Sequence, residues 1–306
     1  MSSAPLVPTG PTGSSAKQSR MTMAGRRRLD TALRLLVALI FIVYALFPIV
    51  YVIGTSLNPS GSLQTTQIIP DNPTLDNYRK LLTDPLTPFT QWMINSLFVS
   101  TTTAILTVAL CALAAYSFSR FRFKSRKRLL QGLLLSQVFP NILAMVALFL
   151  ILQQLGRLYP MFGLNTLGGL ILIYLGGAIG FNTWLMKGFF DTVPRDLDES
   201  AMLDGASSWQ TFTTIILPLV RPVLAVIFML SFIGTYGDYL LAKVMLTNTQ
   251  KYTVAVGLTL FIGQQYGQNW GQFAAGAVMA AIPTMILFYI AQGQLQGGLT
   301  SGAVKG

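Results

Sequence analysis

The stretch from Glu199 to Pro218, ESAMLDGASSWQTFTTIILP, stands between two long apolar segments of the chain. Its sequence predicts two short helices joined at a glycine. Asp191 or Thr192 is placed to cap the first helix, with Pro194 in its first turn. Gly205 is typical of the left-handed residue that ends a helix. A segment that served only as a connection would not need two capped helices.

The second helix is predicted to begin directly after that glycine. Ser207, followed three residues later by Gln210, matches the capping box that satisfies the first backbone N–H groups of a helix. Trp209 and Phe212 then begin an apolar stripe that leads into the next apolar segment.

Two roles remain open for the first of these helices. It would present Met202, Leu203 and Ala206 to the cytosol, as a knob that docks into the groove of a partner protein. Alternatively, it would rest on lipid headgroups as an amphipathic interfacial helix. Physical reasoning from the residues alone does not separate the two.

The composition indicates an integral membrane protein. Of 306 residues, 52% are hydrophobic and 10% are charged, and the mean hydropathy is +0.57, whereas soluble domains carry roughly 25% charged residues. The chain has no histidine and one cysteine, Cys111, which excludes a disulfide framework and Cys–His or Ser–His–Asp chemistry. No phosphate-binding GxxxxGK[ST] loop occurs either. The sequence therefore predicts no catalytic residue, cofactor or metal site.

Six segments are long enough to cross about 30 Å of hydrocarbon, which takes about 20 apolar residues. They predict an all-α integral membrane fold with six transmembrane helices. The segments are Ala32–Gly54, Ser96–Phe118, Leu129–Leu152, Leu167–Phe190, Leu217–Ala242 and Ala274–Gln292.

The basic residues predict the orientation of these helices. Of the 21 Lys and Arg residues, sixteen fall in the N-terminal flank, the 2–3 loop, the 4–5 loop region and the C-terminus, and five fall on the other side. Because basic residues concentrate in cytoplasmic loops, both termini and the Glu199 stretch are expected in the cytoplasm. The net charge of +11 is therefore explained by basic residues that set the membrane orientation, and it does not indicate nucleic-acid binding.

These patterns suggest the following organisation. Residues 1–30 are expected to form a disordered cytoplasmic tail, because they are rich in Ser, Pro, Thr and Gly. Residues 31–294 form the transmembrane domain, with a cytoplasmic loop at 191–216 and an outer loop at 243–272. Residues 295–306 form a cytoplasmic C-terminal tail.

The outer segment Tyr252–Gly263 is apolar but too short to span the membrane. It is interpreted either as a re-entrant or interfacial segment lodged against other protein, or as a lid over the ends of the helices.

The Glu199 stretch also carries a resemblance. The pattern consists of E-x-A-x-x-x-G, a spacer of nine residues, and then I-x-L-P. This pattern is similar to the EAA loop of permease subunits of ATP-binding-cassette importers. It is formed here by Glu199, Ala201, Gly205, Ile215, Leu217 and Pro218. One position departs from the family pattern: Ser200 stands where alanine is common, a small change that is expected to be tolerated.

Three further stretches resemble the smaller permease subunit of maltose-type importers: KYTVAVGL, WGQFAAGAVMAAIP and GLTSGAVKG. The resemblance implies the type I fold of these importers and an assembly of five chains. The partners would be a second permease subunit, two ATPase subunits and an external sugar-binding protein. No cofactor is implied, and ATP hydrolysis is expected in the partner subunits.

The resemblance also implies roles for particular residues. The cytoplasmic stretch would be a coupling helix seated in an ATPase subunit, with Ala201 kept small for close seating; its residues are Glu199, Ser200, Ala201, Met202, Leu203, Asp204, Gly205 and Ala206. The C-terminus would be a strand between the ATPase subunits, contacting them through Thr300, Ser301, Gly302 and Lys305. The outer loop would reach into the binding protein through Tyr266, Asn269 and Trp270.

Polar residues inside the spans suggest a translocation path. Asn95, Asn141 and Asn182 are candidates to line it, although hydrogen bonding between helices is the competing interpretation. The rival function is a secondary transporter that works without an ATPase. It would require paired repeats and an embedded carboxylate for ion coupling, for which Asp238 is the candidate, but the sequence shows no internal repeat.

Overall fold

The computed structural model describes residues 23–59, 70–138, 140–263 and 269–303. Within these ranges the regular secondary structure is helical and no strand occurs. The chain divides into two compact units, residues 1–50 and 51–306. An all-α fold is therefore confirmed for the described residues.

The described part of the first unit is one apolar helix. Helix α1 (Met23–Ser56) starts there, and its portion Asp30–Ser56 is long and apolar enough to cross a membrane. The helix begins seven residues before the predicted end of the N-terminal tail at residue 30. Residues 1–22 of that tail lie outside the described residues.

The second unit contains the remaining helices. Short 3₁₀ turns lie between several of them, and a π-helical segment, Thr211–Ile216, joins α8 to α9. The helices are α2 (Asp76–Thr83), α3 (Phe89–Arg120), α4 (Arg126–Ser136), α5 (Asn141–Leu158), α6 (Leu167–Thr192), α7 (Asp196–Leu203), α8 (Ser208–Gln210), α9 (Leu217–Leu219), α10 (Arg221–Tyr236), α11 (Leu240–Met245), α12 (Val254–Leu258) and α13 (Trp270–Ala303).

Four of the predicted spans are continuous helices of sufficient length and hydropathy, namely those in α1, α3, α6 and α13. The third predicted span, Leu129–Leu152, is not one helix, because α4 ends at Ser136 and α5 begins at Asn141. Pro140 precedes α5 in an extended conformation. Proline has no N–H to donate and disfavours a helical residue before it, so the helix is divided here.

The fifth predicted span, Leu217–Ala242, also has different bounds. Helix α10 begins at Arg221 and ends at Tyr236, and its axis is bent by 78° from that of the segment Ser208–Leu219. The bend lies at Val220, whose φ of −96° and ψ of 9° leave the α region. Pro222 in the first turn of α10 removes one hydrogen bond across this junction.

The second unit has two apolar cores. One lies where α3 begins and α10 ends, and it includes Trp92, Tyr236 and Phe261. The other lies where α3 ends and α10 begins, and it includes Tyr116, Phe190 and Phe212. The segment that carries α7 therefore lies at one end of the helices, and the segment after α11 lies at the other.

The outer segment packs as a lid over the helix ends. Val254, Val256, Leu258 and Phe261 are buried in the first core, and Phe261 meets Trp92 edge to face with ring centroids 6.3 Å apart. Of the two interpretations left open by the sequence, the described residues 252–263 support the lid.

Hydrogen bonds from α3 fix this lid. The indole Nε1 of Trp92 donates to the carbonyl of Thr249 at 2.8 Å. The amide nitrogen of Asn95 donates to the carbonyls of Gln250 and Tyr252 at 2.9 and 3.0 Å. Because Asn95 is buried, these bonds satisfy backbone groups that would otherwise cost free energy.

The contact between the lid and α3 gives a stability prediction. A Cβ at Gly257 would lie 2.1 Å from Cε3 of Trp92, whose side chain is fully buried. Gly257→Ala is therefore expected to lower the free energy of unfolding by about 1–3 kcal/mol, as overpacking does. Thermal unfolding of the purified protein in detergent measures the change. Gly188→Ala, where a Cβ meets nothing within 4 Å, is the matched control and is expected to unfold no earlier than the parent.

Candidate functional site

Helix α7 ends in the glycine turn predicted from the sequence. Gly205 has φ of +82°, and its N–H donates to the carbonyl of Met202 at 3.1 Å. The N–H of Ala206 donates to the carbonyl of Ala201 at 2.9 Å. These two bonds form a Schellman motif, so the left-handed conformation predicted for Gly205 is confirmed.

The start of the next helix also follows the sequence pattern. The Ser207 hydroxyl accepts from the N–H of Gln210 at 3.3 Å, and the Gln210 side chain accepts from the N–H of Ser207 at 2.8 Å. The capping box is therefore confirmed.

The predicted N-cap of α7 is wrong. Helix α6 continues through Thr192, and the residue that precedes α7 is Arg195, which makes no side-chain cap. Asp191 instead accepts hydrogen bonds from the Ser119 hydroxyl, at 2.7 Å, and from Lys187. The sequence placed a helix boundary at the first polar residues, but both belong to the last turn of α6, where Asp191 binds α3 and the Thr192 hydroxyl donates to the carbonyl of Phe189.

A buried ion pair anchors α7 to the end of α3. The Arg120 Nε lies 2.9 Å from Oδ2 of Asp198, and the two side chains are 7% and 10% exposed. The Nε–H is not aligned with the carboxylate, so the contact is an attraction between charges rather than a directed hydrogen bond. We name this contact, with the bonds described next, the α7 anchor.

Backbone carbonyls complete the α7 anchor. The Arg120 Nη2 donates to the carbonyl of Val193 at 3.0 Å. The Arg195 Nη2 donates in return to the carbonyl of Ser119 at 2.9 Å. The two arginines thus tie both sides of the connection between α6 and α7 to the last turn of α3.

A row of aromatic rings supports the second short helix. Trp209 lies 5.6 Å from Phe212, Phe212 lies 4.9 Å from Tyr116, and Tyr116 lies 6.3 Å from Phe190, measured between ring centroids. These distances are typical of favourable aromatic pairs. The Tyr116 hydroxyl also donates to the carbonyl of Ser208 at 3.3 Å. The segment after Gly205 is therefore packed on α3 and α6.

Helix α7 has one side against its own chain and one side free within the described residues. Asp198 and Ala201 are buried, whereas Met202 is 53% and Leu203 is 89% exposed. Glu199, Ser200, Asp204 and Gly205 are also exposed, and Ala206 is half-buried. The small side chain of Ala201 thus faces this chain's own helices, which differs from the expectation that it faces a partner.

The remaining predicted contact residues lie elsewhere. The backbone of Thr300, Ser301 and Gly302 is part of α13, which is helical to Ala303 where a strand was expected; Lys305 lies outside the described residues. Tyr266 also lies outside them. Asn269 directly precedes α13: its side chain accepts from the N–H of Gln272 at 3.2 Å and donates to the Gln272 side chain at 2.8 Å. Trp270 meets Phe273 edge to face.

The three candidate path residues are not brought together. Asn95 binds the outer lid, as described above, which favours the hydrogen-bonding interpretation for this residue. Asn141 is the first residue of α5. Asn182 lines a cavity of about 760 Å³ between α5, α6 and α10, and its amide nitrogen donates to the carbonyl of Ala178 one turn earlier.

Sequence reasoning missed the α7 anchor. In the sequence, Arg120 is one of several basic residues between the second and third predicted spans, and Asp198 is one of several acidic residues near the predicted start of α7. The available signal was their position: Arg120 is the last residue of α3, and Asp198 stands on the side of α7 opposite Leu203.

The comparisons with known proteins match this arrangement. Residues 108–299 match the model of the binding-protein-dependent transport system inner membrane component. The matched region includes the end of α3, α7 and the glycine turn. The chain belongs to this family. It is accordingly a multi-pass permease of the inner membrane.

Relatives extend the match over most of the chain. The maltose/maltodextrin transport system permease protein MalG of Vibrio vulnificus (strain YJ016) is 43% identical over 279 residues, covering 87% of this chain and 93% of that protein. MalG of Escherichia coli (strain K12) is 41% identical over 282 residues, covering 89% and 94%.

Solved structures share the fold. A chain of a bacterial ABC transporter involved in the import of the acidic polysaccharide alginate matches with a TM-score of 0.75 and 24% identity, covering 90% of this chain and 99% of that chain. The same kind of transporter, in complex with an alginate pentasaccharide-bound periplasmic protein, matches with a TM-score of 0.61 and 19% identity. The fold of this chain is thus that of an ABC importer permease.

Removing one charge of the anchor should release α7. Asp198→Ala leaves the Arg120 guanidinium buried without its counter-charge, which typically costs about 3–5 kcal/mol. We expect faster tryptic cleavage after Arg195, measured on the purified chain in detergent. The control is the double variant Arg120→Met/Asp198→Leu, which removes both charges and should resist cleavage better than Asp198→Ala. Equal cleavage of Asp198→Ala and the parent would contradict the anchor.

Proposed function

We propose that this chain is a permease subunit of an ATP-driven importer of a maltose- or maltodextrin-like oligosaccharide. It forms half of the translocation pathway and pairs with a second permease subunit, an ATPase dimer and an extracytoplasmic sugar-binding protein. ATP hydrolysis takes place in the ATPase subunits and not in this chain. The relatives named for maltose and maltodextrin transport, which cover nearly nine-tenths of the chain, support the substrate class.

The observation that carries the coupling role is the geometry of α7. The helix is tied to α3 through the buried Arg120–Asp198 pair, yet Met202 and Leu203 stay exposed. An apolar surface on a rigidly held helix suits docking into a groove of a partner. A helix that merely rested on lipid would not require a buried ion pair to fix its position.

This geometry supports a lever mechanism. When ATP binding closes the ATPase dimer, the docked residues 199–206 move with it. The α7 anchor and the aromatic row pass that displacement to α3 and α6, because those contacts leave little freedom between the elements. The helices then change from inward-facing to outward-facing, a switch between two states that each ligand biases.

Orientation and the other contacts follow from the same proposal. The end of the helices that carries α7 faces the cytoplasm, with both termini, and the lid end faces outward. Tyr266, Asn269 and Trp270 contact the binding protein from the lid end. Thr300, Ser301, Gly302 and Lys305 contact the ATPase subunits.

The assembly is tested by isolating the chain from native membranes through a tag at the N-terminus and identifying the proteins bound to it by mass spectrometry. We expect an ATPase subunit and a second permease, together with a sugar-binding protein. Recovery of the folded chain alone in mild detergent would contradict the proposal and favour the secondary transporter.

The glycine turn gives a sharper test of coupling. Within this chain a Cβ at Gly205 would meet nothing within 4 Å, so a substitution there strains this chain through the backbone, at about 1–2 kcal/mol for a left-handed residue. Gly205→Val is expected to hydrolyse ATP without taking up sugar. Gly205→Asn, which tolerates the left-handed conformation, is the control and should retain uptake. Both are measured as ATP hydrolysed per sugar transported in the reconstituted importer, and normal uptake by Gly205→Val would refute the coupling role.

A further inference from the structure

A cluster of basic residues lies at the connection between α3 and α4. Helix α3 is long and apolar enough to cross the membrane and ends at Arg120. Helix α4 begins at Arg126 and, after three basic residues, continues as LLQGLLLS. We name residues 121–128 the basic turn; its five basic residues are Arg122, Lys124, Arg126, Lys127 and Arg128.

Two phenyl rings hold the basic turn against the end of α3. The ring of Phe121 meets that of Tyr116 edge to face at 5.8 Å, and the ring of Phe123 lies 5.7 Å from that of Phe118, measured between centroids. Both distances are typical of favourable aromatic pairs. Because Tyr116 and Phe118 belong to the last turns of α3, the basic turn lies beside the end of a membrane-spanning helix, which is the depth of the lipid headgroups.

The cations of the basic turn have no ion-pair partner within the described part of the chain. Four of the five side chains are exposed and Arg126 is half-buried, and the described ion pairs involve other residues. Arg126 is near enough to Asp191 for their charges to interact, but that carboxylate already accepts from Lys187 and from a hydroxyl of α3. Asp198 is likewise held by Arg120. The five positive charges are therefore available to an anion from outside the chain.

Apolar surface lies beside these cations. Phe121 is 46%, Phe123 is 40% and Leu129 is 51% exposed. Basic residues combined with exposed apolar side chains are typical of segments that lie in the membrane interface. Clusters of four to eight basic residues directly next to a membrane-spanning helix recognise anionic lipids. An acidic partner protein is the alternative occupant, but the bilayer already surrounds the end of α3 at this depth.

We propose that the basic turn is a binding site for the headgroups of anionic phospholipids. Arg122, Arg126 and Arg128 bind the phosphates, for which the guanidinium fork is suited, and the two lysines add charge. Phe121 and Phe123 lie at the boundary between headgroups and acyl chains. Setting the orientation requires these charges only during insertion, whereas this site acts in the folded chain. The inference does not depend on the sugar or on the ATPase.

Fluorescence quenching by spin-labelled lipid measures the composition of the lipid around the basic turn. Cys111→Ala/Ser125→Cys places a bimane label at an exposed position in the middle of the turn. The chain, purified with the subunits bound to it, is placed in nanodiscs of phosphatidylcholine with a small, equal share of nitroxide-labelled phosphatidylglycerol or nitroxide-labelled phosphatidylcholine. Labelled Cys111→Ala gives the background from the other subunits. We expect several-fold stronger quenching by the phosphatidylglycerol, because the cations concentrate it locally.

Two variants of α4 test the charge. Arg126→Gln/Lys127→Gln/Arg128→Gln should bring the ratio of the two quenching values close to one. Arg126→Lys/Arg128→Lys keeps the charge and should retain most of the preference for phosphatidylglycerol.

The matched control removes the same charge at the other end of the helices. Helix α2 packs into the core at the lid end, and three exposed basic residues lie at that end. The control variant should leave the ratio at position 125 unchanged; it is Arg79→Gln/Lys80→Gln/Lys251→Gln.

Three results would overturn the proposal. They are equal quenching by the two lipids in the parent, an unchanged preference in the triple variant of α4, and no quenching by either lipid, which would mean that protein covers the turn. Reaction of the thiol at position 125 with a membrane-impermeant maleimide in sealed vesicles shows whether the triple variant keeps its orientation. If it does not, Arg126→Gln and Arg128→Gln replace it, and each should lower the preference. None of these results bears on the proposed transport function.

Discussion

The ion pair between Arg120 and Asp198 is the contact on which the account of this protein depends. Burying two charges is expensive, and such a pair often adds little net stability. What it supplies is a fixed position, since neither charge can leave the other without a large loss of free energy. Arg120 ends a long apolar helix and Asp198 stands on a short one, so their contact ties the short helix to the end of the long one. The docking proposed for the exposed Met202 and Leu203 depends on this fixed position.

Sequence reasoning succeeded where local rules apply. The left-handed turn at Gly205 and the capping box of Ser207 and Gln210 involve residues a few positions apart, and their chemistry is specific. The long apolar helices follow from hydropathy and length. Hydropathy does not show the two breaks, because it continues through Pro140 and Pro222, where the backbone restrictions of proline accompany the end of one helix and the start of the next. The α7 anchor was missed because its two charges are 78 positions apart in the chain, and no local pattern pairs them.

Polar residues inside apolar helices illustrate the same limit. Asn95 and Asn182 both stand within apolar stretches of sequence, and both are buried. The Asn95 amide nitrogen donates to two backbone carbonyls at the outer end of the helices, whereas Asn182 lies on the wall of a cavity. The sequence identified them as polar groups that need partners, and the fold decides which partners they have. Asp238, first considered as an ion-coupling carboxylate, lies on the same cavity wall beside Tyr174.

The central claim is that the exposed side of α7 docks on an ATPase subunit. It is tested most directly by placing a photoreactive label on Leu203→Cys in the complete importer, with Cys111 replaced by Ala, and identifying the cross-linked chain by mass spectrometry. The account predicts cross-links from position 203 to the ATPase subunit, and none to it from the same label on Leu143→Cys, an exposed position of α5. Cross-links from position 203 to lipid alone, in membranes where the importer is assembled and active, would contradict it.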